Sequence, residues 1–554
     1  MDTWIAANLY LSDGRVIRFG HDEIESENIP ADISFDTSNP GGFGSASVTL
    51  PRPEDLFADD GKLFSHLELY GPGNQIFYEG FVTGVPQVGD NQIQLNLSGW
   101  VSALDRHETF RQIFVDRDLG RWNSASRGRR ITLNTDRTVN DMSVETDNKS
   151  GYPALNLELT GPWAAHQWCE AVYDAGVNRV DSLYYDYVTV SAAASQPSST
   201  FDLYLGFADD VEWLNQSLSA SADQHTVANS TGSGTRTSSS KQRCVVIGWR
   251  FNGSNTTDGY TYTAMFRNIA VFGNHGLTKR GTAPDQGYYA SDIVGYAVQQ
   301  CPSLTYSSDS IETTSFVIPH LTFTEDTSLR SVIEQVTALG GNQNVANDWG
   351  VYEDRTFYWR SPGTYGRTWH VRRDQVATSS SDGPDADRRI AGIKINYTDA
   401  AGTSLSVGPP GSNADYETTD LLDIDTDNPA YRIPGAYKSE TIGIAPIKSG
   451  DTYSRLAVNA GVMILNERNR LDWRGSVSIT GEAEDENGNL FPAALIRAGD
   501  RIVVSDSGDT TERTIVTTSY DHGSLTCTAS IGATPDSLEA LLGQLAAVTD
   551  LIGQ

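Results

Sequence analysis

The stretch from Leu495 to Ile531, LIRAGDRIVVSDSGDTTERTIVTTSYDHGSLTCTASI, restricts the possible folds more than any other part of the chain. It contains three short runs, Arg501 to Ser505, Arg513 to Ser519 and Ser524 to Ile531, parted by Ser-Gly-Asp and Asp-His-Gly turns. Polar and apolar residues alternate in the last two runs, and a period of two gives a strand one buried and one wet face. The segment therefore reads as an antiparallel meander with Ile515, Leu525 and Cys527 inside a sandwich or barrel and Thr and Ser outside.

At 554 residues the chain exceeds what one core supports, and roughly three to five domains are expected. The 51 Gly and 21 Pro, with 38% hydrophobic residues, suit a turn-rich β protein better than a helical one. Acidic residues outnumber basic ones 71 to 40, for a net charge of −31 and a pI near 4.5. Such a surface repels a phosphate backbone, so sequence-independent nucleic-acid binding is not expected. Cys169, Cys244, Cys301 and Cys527 lie far apart, with no C-x-x-C pair and no His at ligand spacing, so they read as small buried hydrophobes and not as a zinc site. The Met-Asp-Thr-Trp-Ile start has no basic n-region with an apolar h-region, and no run of ~18 apolar residues follows, so the expectation is a chain made in the cytosol without a signal peptide.

Along the chain, Trp4 to Phe19 and Ile29 to Leu50 read as strand, turn, strand, with Leu11-Ser-Asp-Gly-Arg-Val and Pro40-Gly41-Gly42 as the turns. His66 to Tyr70, Ile76 to Val82 and Gln92 to Trp100 continue the pattern, and Ile93, Leu95 and Leu97 alternate with Gln94, Asn96 and Ser98. Residues 119–279 differ: charge falls, aromatics and Ser/Thr rise, and strands are expected at Ala154 to Leu159, Ser182 to Val190, Phe201 to Phe207, Arg243 to Phe251 and Ala264 to Phe272. Polar loops such as Asn229 to Ser240 separate them, the pattern of a jelly-roll-like β-sandwich. Helices are expected at Ser291 to Gln300, from Asp326–Ser328 to Gly340, at Asp451 to Arg468 and at Asp536 to Ile552, where Asp536 and Glu539 make a capping box. A hairpin is expected at Gly350 to Tyr352 and Thr356 to Arg360 around Glu353-Asp354, and strands at Ile390 to Tyr397 and Gly475 to Gly481.

The motifs that carry catalysis are missing. Asp423, Asp425 and Asp427 open like a calcium loop, but Pro434 stands where a bidentate Glu belongs. Glu482, Glu484, Asp485 and Glu486 lie in a Gly/Asn-rich turn with little apolar surface and read as a solvated loop and not a glycosidase pair. There is no H-E-x-x-H, no G-x-S-x-G and no P-loop, and Gly41-Gly42-Phe43-Gly44 lacks the Lys and helix that phosphate binding needs. No enzyme, cofactor or metal is expected. In the 119–279 segment, Trp163, Trp168, Trp213 and Trp249 are candidates for stacking on sugar rings, although aromatics in a sandwich are more often core.

The Ala498-Gly499-Asp500-Arg501 turn into Ile502-Val503-Val504, followed by Ile515-Val-Thr-Thr-Ser-Tyr-Asp-His522, resembles the last barrel of tail-hub (baseplate-hub, minor tail) proteins of long-tailed bacteriophages. Asn39 to Leu50 resembles the Gly-rich hairpin of the hub's first barrel, Tyr288 to Val294 the helix opening its second half, and Trp349 to Trp359 a third match in the same order. Met265-Phe-Arg-Asn-Ile-Ala-Val-Phe-Gly273 resembles the closing strand of carbohydrate-binding sandwiches. The resemblance implies a mainly β, multidomain chain. A first hub β-barrel spans 1–118, an inserted carbohydrate-binding-like sandwich 119–279 and an α+β unit 280–388. A second tail-tube-like barrel spans 389–535 and an amphipathic C-terminal helix 536–554. It implies a virion tail-tip location and a homotrimeric ring, two barrels per copy imitating sixfold symmetry, between a hexameric tail-tube or distal tail protein and threefold tip, fibre or receptor-binding proteins. Tape-measure protein and passing DNA would occupy the lumen, and cell-surface glycan would meet the insert. The competing reading is a cell-wall-glycan-binding tail protein or tail-associated hydrolase whose working part is the insert.

Overall fold

The computed structural model describes three main regions and the strands between them. These are residues 5–118 apart from 12–13, 21–28, 52–64, 85–86, 89–90 and 107–109; residues 269–372 apart from 274, 282–285, 316, 340–346 and 365; and residues 473–531 apart from 505–511. Between them it describes residues 121–124 and the strands named below. The expected helices at 451–468 and 536–552 and the Asp423, Asp425, Asp427 loop lie outside the described residues. The chain is mainly β and built of several sheets.

The first part comprises β1 (Ala6–Tyr10), β2 (Val16–Phe19), β3 (Ala31–Ser38), β4 (Gly41–Pro51), β5 (His66–Gly71), β6 (Gln75–Val82), β7 (Gln87–Val88) and β8 (Gln92–Gly99). They pair antiparallel in the order β2-β1-β5-β6-β8-β4-β3. The alternation read in β8 holds: Ile93, Leu95 and Leu97 are buried, while Gln94 reaches Ser47 on β4 at 3.1 Å. A 3-10 turn, Trp100–Arg106, then leads to β9 (Phe110–Asp116).

The insert follows as β10 (Trp122–Ser124), β11 (Asp141–Thr146), β12 (Pro153–Thr160), β13 (Trp168–Asp174), β14 (Val180–Tyr184), β15 (Tyr187–Ala192), β16 (Ser199–Phe207), β17 (Asp210–Ala220), β18 (His225–Ala228), β19 (Arg236–Gln242), β20 (Cys244–Phe251), β21 (Thr261–Arg267) and β22 (Ala270–Gly273). Two five-stranded antiparallel sheets, β10-β13-β20-β16-β17 and β11-β12-β21-β15-β18, make its sandwich. Two expected strands are each split in two: Ser182 to Val190 becomes β14 and β15, and Ala264 to Phe272 becomes β21 and β22. In both, the chain leaves one sheet for another, since β15 pairs β21 while β14 pairs β22. A period-two pattern runs unbroken through such a corner and cannot reveal it. The expected polar loop at Asn229 to Ser240 also carries part of β19, a Ser-rich strand without alternation.

The α+β unit contains β23 (Tyr288–Tyr289), α1 (Ala290–Gln299), β24 (Val317–Ile318), β25 (Leu321–Thr327), α2 (Leu329–Ala338), β26 (Asp348–Val351), β27 (Phe357–Arg360) and β28 (Thr368–Val371). Ser328 caps α2 by accepting the Ser331 N–H at 3.2 Å. The apolar stripe Leu329, Val332, Ile333, Val336 packs into a core shared with α1, Phe114 on β9, Phe272 on β22 and Trp359 on β27. The strands that lead into and out of the insert pair directly, Val271 with Asp116 and Phe272 with Val115, so the insert leaves and rejoins the body at one place.

The last part adds β29 (Gly383–Pro384), β30 (Gly392–Thr398), β31 (Ser404–Val407), β32 (Ser439–Gly443), β33 (Trp473–Thr480), β34 (Glu482–Asp485), β35 (Leu490–Pro492), β36 (Arg501–Val504), β37 (Arg513–Asp521) and β38 (Thr526–Ile531). β36, β37 and β38 form the expected antiparallel meander, with Ile515 and Cys527 fully buried. Leu525 is different: it sits in the turn at φ 52° and is half-buried, because the strand begins one residue later. The Glu482 to Glu486 turn is also more than a solvated loop. The Asp485 carboxylate is buried and accepts the Asn487 and Asn489 N–H groups at 2.9 and 2.8 Å, and Glu486 accepts the Thr368 N–H at 2.8 Å.

The first and last parts join through β3 and β37, antiparallel from Ser34 opposite Asp521 to Ser38 opposite Thr517. Across this seam Thr37 and Thr518 hydroxyls meet at 2.6 Å in a buried site. One core runs through both parts, from Leu9, Phe35 and Tyr78 to Trp369, Ile479 and Ile515. The Ala498 to Arg501 turn locks it. The Ala498 N–H donates to Thr37 Oγ1 at 2.8 Å, the Ala498 carbonyl accepts from the Tyr352 hydroxyl at 2.6 Å, and Asp500 accepts the Trp369 indole N–H at 2.7 Å. Gly499 at φ 90° lets the turn close onto the Ile515 carbonyl.

Candidate functional site

Two features of the insert bear on function: how it is held, and what its sheet faces carry. At the joint, the buried Asp116 carboxylate accepts hydrogen bonds from the Arg121 guanidinium at 2.8 Å, the Tyr173 hydroxyl at 2.5 Å and the Asp118 N–H at 2.8 Å. Burial, with Asp116 beside it, pushes the Tyr173 hydroxyl far up, so it stays a donor. Arg117 donates its backbone N–H to His320 Nδ1 at 3.0 Å and its side chain to the Pro319 and Gln286 carbonyls. Trp122 packs against Tyr173 in a tilted arrangement with ring centroids 5.5 Å apart. The insert is thus clamped to the α+β unit through β9, β13 and the residues after β9.

The register sorts the tryptophans of the insert's first sheet. Trp168 lies opposite Arg250, and Arg250 opposite Asp202; one step along, Glu170 lies opposite Gly248, and Gly248 opposite Tyr204, which faces Trp213. Cross-strand partners and residues two apart share a face, so Trp168, Glu170, Asp202, Tyr204, Trp213 and Arg250 take positions on one face. Trp249 takes the other, in a row with Cys169, Leu203 and Leu214, on the face that also holds the buried Tyr173. Trp163 lies outside the described residues. Sequence reading ranked these tryptophans alike because it lacked the register, and it missed Tyr204 and the charged partners for the same reason.

A third cluster, not signalled by the sequence, is buried in the first part. His66, Glu68 and Glu79 have ligand atoms within 4.8 Å of one another. His66 Nε2 is 3.1 Å from Glu68 and 3.4 Å from Glu79, while the Trp100 indole N–H donates to His66 Nδ1 at 3.1 Å. An indole N–H only donates, so the ring hydrogen belongs on Nε2, aimed at the two carboxylates. A metal on Nε2 would push that hydrogen to Nδ1, against the indole, so the cluster does not fit a cation and fits a proton.

No protein-family model and no curated protein matches the chain. Among solved structures it is similar to the 43 kDa tail protein of prophage MuSo2 from Shewanella oneidensis, at 9% identity and TM-score 0.39, over 98% of each chain. It is similar to a tail protein from Neisseria meningitidis MC58 at 8% identity and TM-score 0.39, over 97% of this chain and 99% of that one. The CBM22-1 xylan-binding domain of Paenibacillus barcinonensis Xyn10C matches 30% of this chain over 97% of its own length, at 10% identity and TM-score 0.18.

Proposed function

We propose that the chain is a structural protein of a long-tailed phage tail, acting as a trimeric hub that carries the insert on its rim. The observation behind this reading is the β3–β37 seam. It joins two sheet-rich parts from opposite ends of the sequence by one strand ladder and one core, which suits a ring subunit that meets its neighbours through both parts. The order of hub-like segments along the sequence supports the same reading, and the charge of −31 suits a wall past which DNA moves. Light scattering of the full chain tests it: a mass of three copies is expected, and a monomer at every concentration would reject it.

A second reading concerns the insert and rests on the register. Aromatic rings stack on the C–H faces of sugars, while carboxylates and guanidinium groups bind the hydroxyl rims. One sheet face combines Trp168, Tyr204 and Trp213 with Glu170, Asp202 and Arg250. We assign weak glycan binding to that face, strengthened by three copies per ring. Retardation of the chain in gels containing soluble polysaccharides is expected to vanish in a Trp168→Ala, Trp213→Ala double variant; equal retardation of the variant would reject this face.

A further inference from the structure

In the first part, β5 and β6 place Glu68 and Glu79 directly opposite each other, and like charges at such positions repel. Both are removed from water, with side chains 14% and 1% exposed. Their surroundings are unequal. Glu68 accepts the Tyr10 hydroxyl at 2.8 Å, the Tyr70 hydroxyl, and the His66 Nε2 hydrogen at 3.1 Å. Glu79 has the Arg355 backbone N–H at 3.3 Å, a further backbone hydrogen bond from Asp354, and longer approaches from His66, at 3.4 Å, and Arg355 Nε, at 3.7 Å. The Arg355 guanidinium stacks on Trp100 at 4.7 Å. The remaining charged neighbours face elsewhere: Arg106 covers Phe81 at 4.4 Å, and Glu353 pairs with Arg497, which donates to the Ile76 carbonyl at 2.6 Å.

We infer that Glu79 is the proton-binding half of this carboxylate pair, and that its proton keeps the β5–β6 hairpin closed on the Glu353–Arg355 turn. That turn is the place to control. Asp354 and Arg355 both adopt left-handed conformations at φ 56°, which non-glycine residues hold only when fixed from outside. It is fixed at one end by Glu79 and at the other by Arg497, while the Arg355 carbonyl accepts the Thr305 N–H at 2.9 Å. The first part, the last part and the α+β unit therefore all meet at this turn.

The two carboxylates titrate in opposite directions. Burial pushes Glu79 up to about 7, helped by the Glu68 charge and opposed by Arg355. For Glu68 burial acts upward too, but the His66, Tyr70 and Tyr10 hydrogen bonds outweigh it and hold the group at about 2. A raised group favours the fold when protonated: the Glu79 contribution is complete below its ordinary value of 4.5 and is lost as pH rises through about 7. The Glu68 contribution is present above 4.5 and is lost only as pH falls toward about 2.

The test is the thermal midpoint and the amide exchange of the full chain between pH 5 and 8.5. Protection of the Leu67 to Gly80 hairpin and of 353–356, corrected for intrinsic rate, is expected to fall as pH passes neutrality. Glu79→Gln, which stays uncharged, is expected to abolish that dependence. Arg355→Gln, at a half-exposed position, removes the opposing cation and is expected to move the transition to higher pH. Identical pH profiles for the unmodified chain and both variants would overturn the inference. So would a stabilisation by zinc or calcium that Glu79→Gln removes, because the site would then hold a metal and not a proton.

Discussion

Asp500 accepts the Arg367 and Arg497 amide hydrogens at 2.9 and 3.0 Å as well as the Trp369 indole, all in the joined core. Asp500→Ala leaves these donors buried without an acceptor, and a loss of about 3 kcal/mol or more is expected from the shift in denaturant midpoint. The turn that contains Asp500 stands out in the sequence, but its partners, Thr37 and Tyr352, come from segments far away. Cys301 and Cys527 are free and buried, as composition suggested, and burial pushes the Cys527 thiol up to about 12. Both thiols are expected to resist alkylation at pH 8 in the folded chain and to react fully on unfolding; rapid native labelling of Cys527 would contradict its place in the core. Nothing local marks Glu68 and Glu79 as a pair. Eleven positions apart in sequence, they become neighbours only through the β5–β6 register.

At the scale of elements, β4 crosses β26 in parallel through Gly41–Gly350 and Gly42–Val351. Gly42 has φ 95°, and a Cβ there would overlap the Val351 carbonyl. Gly42→Ala is therefore expected to separate these strands and lower the melting temperature markedly, whereas Gly14→Ala, in an open hairpin turn, costs only its φ penalty of about 1 kcal/mol. The insert makes a sharper test. The segment 119–279 stands out by composition, yet β22 at its end supplies Ala270 and Phe272 to the core of the α+β unit. Replacing 125–268 by a Gly/Ser linker is expected to leave a cooperatively folding body, while replacing 119–279 strips that core and is expected to give insoluble chain. Equal behaviour of the two deletions would mean that β22 contributes nothing to the body. Asp116→Ala is expected to act between these extremes, exposing the joint to protease while the first and last parts stay protected.

At the scale of the whole molecule, the proposed ring brings together chains that each carry −31. Screening relieves that repulsion, so raising salt from 50 to 500 mM is expected to strengthen trimer formation several-fold in sedimentation; weakening would point to ion pairs as the main contacts. The sequence by itself determined the mainly β character, the two short helices with their ends, the hairpin turns and which face of β8 and β37 is apolar. All of these depend on neighbours a few residues away, through alternation, capping and glycine. Only the tertiary structure decided that β3 pairs β37, that β14 and β15 belong to different sheets, that Trp168 and Trp213 share a face that Trp249 does not, and that Glu79 lies against Glu68. Those outcomes depend on register and on contacts between distant segments. A period of two defines the faces of a strand without naming its partner, so many pairings are compatible with the same pattern until the whole core is packed.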